Sequence, residues 1–156
     1  MSSSHSAPRP EGMHVLTPHL VCKGALEAIE FYKQAFDATE LFPPMDDGNG
    51  KIIHSAIQVC GSSVMIMDEF LDYGGISPQT LKGTPVTIHL FVEDVDSFVA
   101  KAVDVGAKVV MPVEDQFWGD RYGVIEDPFG HSWSIATHRR SLSPEEIREA
   151  MLKSGG

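Results

Sequence analysis

Two histidines stand in matching surroundings, His19 in Thr17-Pro18-His19-Leu20 and His89 in Thr87-Ile88-His89-Leu90. Imidazole changes charge near neutral pH. Two of them facing one cavity can bind a metal ion, hold an anion or act as acid and base. They can equally line a polar wall and hydrogen-bond water. Trp118, Asp120, Arg121 and Tyr122 make the densest polar-aromatic cluster, beside Gly119 and Gly123. An arginine can fork onto a carboxylate, and Trp or Tyr can stack on a planar ligand. The same residues would also serve as a structural Arg121–Asp pair with aromatics packed on a sheet or a second subunit. Nucleophilic catalysis has little support. No Gly-x-Ser-x-Gly elbow, phosphate loop or Cys-x-x-Cys pair occurs, and no catalytic residue is assigned. Cys22 and Cys60 lie in apolar runs and are expected to be buried free thiols in a reducing compartment.

The elements that must position these side chains are read from period and punctuation. Val15–Cys22 is predicted as a strand and Ala25–Phe36 as a helix, with Leu26, Ile29, Tyr32 or Lys33, and Phe36 at helical spacing. Thr39–Phe42 reads as a brief strand stopped by Pro43-Pro44. Ile52–Cys60 and Val64–Asp68 read as strands around a tight turn at Gly61-Ser62. Tyr73–Pro85 reads as the main linker. The order then restarts. Val86–Val92 is a strand, and Val95–Val105 a helix with Asp94 or Asp96 as N-cap and Gly106 as its stop. Lys108–Val113, Arg121–Glu126 and Ser132–Thr137 are strands. Ser143-Pro144-Glu145-Glu146 opens a C-terminal helix as a capping box with proline at the first helical position.

The halves therefore share one order, βαβββ, and they also share residues. Thr17-Pro18-His19-Leu20 aligns with Thr87-Ile88-His89-Leu90. Ala35–Ala38 aligns with Asp104–Ala107, and the Gly61 turn with the Gly130 turn. An internal repeat is an architectural signal. Within a strand, residues two apart share a face, so His19 shares a face with Thr17, and His89 with Thr87. In Ile52–Cys60, either His54 and Ala56 or Ser55 and Ile57 face inward, and alternation alone does not choose. Met65, Met67 and Met111 are expected as core filler, Met65 facing the cavity. Asp127-Pro128 is expected to build a turn, and Trp133 to lie in the core.

With 156 residues, the chain is long enough for one domain with a real core. A formal net charge of −10 argues against nucleic acid or an anionic membrane as partner. No run approaches a membrane span, and the Ser-, Pro- and His-rich segment 1–13 is expected to be a disordered leader, not a secretory signal. A cytoplasmic location is expected.

The repeat, together with Asp127-Pro128-Phe129-Gly130-His131-Ser132-Trp133, resembles the vicinal-oxygen-chelate superfamily (glyoxalase/bleomycin-resistance/dioxygenase). Trp118-Gly119-Asp120-Arg121-Tyr122-Gly123, Trp133–His138, Leu16-Thr17-Pro18 and Ala28–Tyr32 are similar to its demethylubiquinone-methyltransferase-like branch. The resemblance spans Val15–His138 and says much about fold and little about activity. Metalloenzymes of the superfamily take ligands from the first and last strand of each half. Carried over by helix starts and turns, those positions fall on Thr17, Thr87, Met65 and Ser134. None suits a hard divalent ion. A one-residue slip would bring in Pro18, Ile88, Ile66 and Ile135 and rescue nothing.

The resemblance thus implies an α+β fold of tandem βαβββ modules forming a curved eight-stranded mixed sheet. The modules cover 14–72 and 84–139 within a domain of 14–139, and a C-terminal helix and tail occupy 140–156. It implies a homodimer. The expected function is small-molecule binding with a degenerate metal site and no cofactor. The ligand would meet Thr17, His19, His54, Met65, Thr87, His89, Trp118, Arg121, Tyr122 and Ser134. The alternative is a metal-dependent glyoxalase-like lyase or isomerase, or a dioxygenase, whose divalent ion is held by His19 and His89.

Overall fold

The computed structural model describes residues 8–155. Most of the expected leader lies outside the described residues. The described part of it, Pro8–Met13, includes a turn in which the Met13 N–H donates to the Pro10 carbonyl. The chain divides into two compact units with the boundary between Leu81 and Lys82.

The first unit runs β1 (His19–Cys22), α1 (Ala25–Phe36), β2 (Thr39–Asp46), β3 (Ile52–Val59), β4 (Ser62–Asp68) and a short α2 (Pro78–Leu81). Its four strands lie in the order β1-β4-β3-β2, with β1 parallel to β4 and the other pairs antiparallel. The second unit repeats the design: β5 (Thr87–Phe91), α3 (Val95–Asp104), β6 (Lys108–Asp115), β7 (Asp120–Glu126) and β8 (Ser132–His138), then α4 (Pro144–Ser154). Its order is β5-β8-β7-β6, with only β5–β8 parallel. The eight strands are thus two four-stranded mixed sheets of one α+β plan.

Several boundaries differ from the sequence reading, each for a local reason. β1 starts at His19, not Val15; Val15 and Leu16 are exposed, and the first ladder bond near it is Met65 N–H to the Pro18 carbonyl. β2 continues through Pro43-Pro44 to Asp46. It is the outer strand, and its register slips between Phe42 and Met45, so the missing N–H groups fall in a bulge. β6 carries Pro112 through the same kind of slip, between Met111 and Glu114. The inward stripe of α1 is Ala25, Ala28, Ile29, Phe31, Tyr32, Ala35 and Phe36, and Leu26 is exposed. Alanines let the helix approach the sheet closely, and that small-residue stripe hides beneath a larger-residue pattern. The expected linker folds in part into α2. Met111 is exposed on β6, not in the core.

Both α1 and α3 are anchored at their starts by the last strand of their own unit. Asp68 Oδ1 accepts from the N–H groups of Gly24 (3.1 Å) and Ala25 (2.8 Å), and Oδ2 from Ile52 N–H (2.7 Å). At the matching place Thr137 Oγ1 accepts from Val95 N–H (2.9 Å) and donates to the Val92 carbonyl (3.0 Å). These bonds satisfy N–H groups that a helix cannot satisfy itself. Asp94 caps α3 through Ser97 N–H, and Ser143 with Glu146 completes the capping box of α4. Trp133 is buried, its indole N–H donating to Asp127 (2.9 Å), whose other oxygen holds the N–H groups of Phe129 and His131 in the turn.

Candidate functional site

Each sheet has a helix on one face, and strand alternation decides which side chains stand on the other. In the first unit Ser55 and Ile57 are buried on the helix side, so His54 and Ala56 face the opposite way. His19 pairs with Met65 across β1–β4, and Met65 with Ala56 across β4–β3. His19, Met65 and His54 therefore share one open face. The His54 ring stacks on Phe42, with centroids 5.4 Å apart. Partial burial pushes the His19 pKa below 6.5, and the charge of His54 pushes it further the same way. Thr17 sits at the margin, its hydroxyl 2.7 Å from Ser63 Oγ and donating to the His14 carbonyl (3.0 Å).

In the second unit His89 pairs with Ser134 across β5–β8, and its Nδ1 lies 2.6 Å from Ser134 Oγ. The Thr87 hydroxyl lies 3.1 Å from Ser132 Oγ, repeating the Thr17–Ser63 pair. Aromatic rings continue the face. Tyr122 stacks on His89 at 5.9 Å, Phe91 meets His89 edge-on at 4.5 Å, and Trp118 meets Tyr122 edge-on at 5.4 Å. Phe117 stands edge-on to Trp118 at 4.9 Å.

Arg121 does not belong with them, which corrects its place among the expected ligand contacts. It alternates with Tyr122 and points to the helix side. There Nε and Nη2 donate to the two Asp96 oxygens (2.7 and 3.0 Å), and Nη1 donates to Asp115 (3.2 Å). This fork raises the Arg121 pKa and holds the Asp96 carboxyl below the ordinary range, mainly through their shared hydrogen bonds. The arginine ties β7 to α3 and β6. The second correction concerns the cysteines. Cys22 is a buried thiol as expected, but Cys60 is exposed, at positive φ in the β3–β4 turn. The turn needs that conformation, and it turns the thiol outward.

Sequence reasoning missed two aromatic contributors and one contact. Phe91 was available from alternation, two residues after His89. Phe42 was hidden by the belief that its strand ended there. Asp120 and His138 meet only because β7 pairs with β8, Asp120 opposite His138. Their contact, Nδ1 to Oδ1 at 2.6 Å, has no local signature. A cavity of about 280 Å³ lies elsewhere, between Lys51 and the segment Glu69–Tyr73. Its lysine already donates to the Glu69 carbonyl (3.0 Å) and lies over the Phe70 ring.

The donor chemistry does not fit a resident divalent ion at the four positions carried over by resemblance. Thr17, Thr87 and Ser134 offer neutral hydroxyls engaged in hydrogen bonds, and Met65 a thioether. Among the described residues no three His, Cys, Asp or Glu side chains gather as a metal-holding group. No described helix is long and apolar enough to cross a membrane.

Comparison with known proteins agrees with the tandem fold. The sequence model of the Glyoxalase/Bleomycin resistance protein/Dioxygenase superfamily matches residues 13–135. An uncharacterized protein of Mycobacterium bovis is 48% identical over 143 residues, which cover 90% of this chain and 93% of that protein. The X-ray structure of an Arabidopsis thaliana gene product superposes with a TM-score of 0.63 at 31% identity, covering 80% of this chain and 98% of that one. The genomically encoded fosfomycin resistance protein FosX of Listeria monocytogenes, complexed with Mn(II) and sulfate, is similar in fold. Its TM-score is 0.59 at 17% identity, with 87% of this chain and 95% of that one covered.

Proposed function

Because this chain belongs to the glyoxalase/bleomycin resistance protein/dioxygenase superfamily, we propose that it binds a small planar molecule and has a degenerate metal site. The observation that carries this reading is the face of the second sheet. Where a metalloenzyme would present ligands, Thr87 and Ser134 are engaged in hydrogen bonds within the sheet, Ser134 with His89, whose exposed ring stacks on Tyr122. A neutral, aromatic surface with a few polar groups suits stacking of an uncharged or weakly charged ring system. On the first sheet, His19, His54 and Met65 offer a second polar and adaptable surface. The acidic chain disfavours a strongly anionic ligand.

Tryptophan fluorescence tests it. Trp118 is partly exposed, whereas Trp133 is buried, so a stacked ligand quenches one and not the other. Titration with a panel of planar heteroaromatic compounds should give saturable quenching that Trp118→Phe removes. Tyr122→Ala should weaken binding by roughly five- to tenfold, about 1 kcal/mol of lost stacking. The metal-dependent alternative rests on His19 and His89 as repeat mates. Stoichiometric zinc, nickel, iron or manganese in untagged protein, lost when His19→Ala and His89→Ala are combined, would establish it and sink the present reading.

A further inference from the structure

We propose that Ser141, His138 and Asp120 form a second site, a serine nucleophile with its general base and positioning carboxylate, reactive toward small carboxylic esters of aromatic alcohols. All three lie in the second unit, Asp120 at the start of β7, His138 at the end of β8 and Ser141 in the segment after it. His138 Nδ1 is 2.6 Å from Asp120 Oδ1, and its Nε2 is 2.8 Å from Ser141 Oγ. A carboxylate only accepts, so Nδ1 carries the proton. In the neutral ring Nε2 is then the acceptor, and the Ser141 hydroxyl donates to it. That is the tautomer a general base requires.

The surroundings hold this arrangement in place. Asp120 is buried, and its second oxygen accepts from the Trp118 indole N–H (3.1 Å). Beyond His138 the chain bends back, because the Gly119 carbonyl accepts from both Arg139 N–H (2.9 Å) and Arg140 N–H (3.0 Å). Only glycine permits this approach. Its φ is +104°, and a Cβ there would lie 2.1 Å from the Arg140 carbonyl oxygen. The bend returns Ser141 onto His138. Ser141 and His138 are exposed, so an ester reaches both. Trp118, edge-on to Phe117, supplies an aromatic surface beside Asp120 for the alcohol ring.

The reaction balances without a cofactor. Ser141 Oγ attacks the acyl carbon and gives its proton to His138 Nε2. The C–O bond to the alcohol breaks, and the alcohol oxygen takes that proton. Water then attacks the acyl-serine with His138 again as base, releasing the carboxylic acid and restoring Ser141. Asp120 touches only His138 and Trp118 here, and acts as a positioning residue. Half of the His138 side chain is open to water, at 51% exposure, so its acceleration belongs with simple general-base catalysis, roughly 10²–10⁴-fold.

The competing role is a latch that merely pins residues 139–143. The full-length protein is incubated with p-nitrophenyl acetate and, separately, with an alkyl fluorophosphonate, and the modified residue is mapped by mass spectrometry. We expect acyl and phosphonyl groups on Ser141, none at that position in Ser141→Ala, and labelling at least about 100-fold slower in His138→Gln. Asp120→Asn should move the neutral His138 proton from Nδ1 to Nε2 in the nitrogen-15 spectrum and, with it, slow labelling of Ser141, a loss of rate that a latch does not produce. Absence of label on Ser141 in the folded wild type, or labelling equally fast in His138→Gln, overturns the proposal. All three variants are judged only after their circular dichroism matches wild type. Should His138→Gln misfold, His138→Asn takes its place.

Discussion

The imidazoles of His19 and His54 share one open sheet face, and the charge of His54 adds to burial in keeping His19 neutral. In the unfolded chain His19 takes its proton near pH 6.5; in the native state it does so at lower pH. In that interval the unfolded state binds more protons, so this group favours the native state fully above pH 6.5 and loses that contribution as pH falls through the native value. Proton NMR should place the His19 midpoint below 6.5. In His54→Ala the midpoint should rise yet stay below 6.5, because burial remains. An unchanged midpoint would refute the coupling.

Arg121 and Tyr122 are sequence neighbours with opposite duties. Arg121→Ala should lower the thermal midpoint and leave the affinity for planar compounds unchanged, since its fork holds Asp96 and Asp115. Arg121→Lys should restore only part of the loss, because an ammonium cannot bridge both oxygens in that geometry. Asp96 has a lowered pKa, so its contribution is present above about pH 3.8 and fades as acid carries the pH through the lower native value. Paired melting and binding curves decide the assignment; a large affinity loss in Arg121→Ala would return the arginine to the ligand face.

The anchors at Asp68 and Thr137 differ in strength. Asp68→Ala strands three backbone N–H groups and should cost about 3 kcal/mol. Thr137→Val removes one neutral hydroxyl, strands only the Val95 N–H and should cost about 1 kcal/mol, since the Val92 carbonyl it also served is an acceptor. Urea unfolding of each variant measures both, and equal losses would contradict the ranking.

The β3–β4 turn is built on Cys60 and Gly61, both at positive φ. Asn-Gly is the preferred pair for such a two-residue hairpin. Cys60→Asn should therefore stabilise the protein, by up to about 1 kcal/mol. Burial, then the nearby Asp37 carboxylate, pushes the Cys60 thiol pKa up, so alkylation with iodoacetamide at neutral pH should be slow despite its exposure. Rapid alkylation at pH 7 would contradict this.

Much of the architecture could be read from the chain because repeat mates betray it. A strand-helix-strand order that restarts with Thr-x-His-Leu leaves few topologies. Capping chemistry at Ser143 and Asp94 is local and therefore legible. The open sheet faces were only half legible. Alternation put His19 with Met65, yet it could not say whether His54 or Ser55 faced α1, since both are polar. Arg121 and Tyr122 cluster in sequence but not in space, because a strand sends neighbours to opposite sides. The Asp120–His138 contact depends on the β7–β8 register, which no short window of sequence contains.

Pro43 of β2 and Pro112 of β6 occupy equivalent places in the two outer strands, each inside a register slip. Neither can donate a hydrogen bond outward. A strand from another molecule approaching either edge meets an interrupted row of donors on a bent backbone, and cannot extend the ladder along it. The same irregularity that conceals β2 from a sequence reader thus makes the β2 and β6 edges poor templates for strand addition.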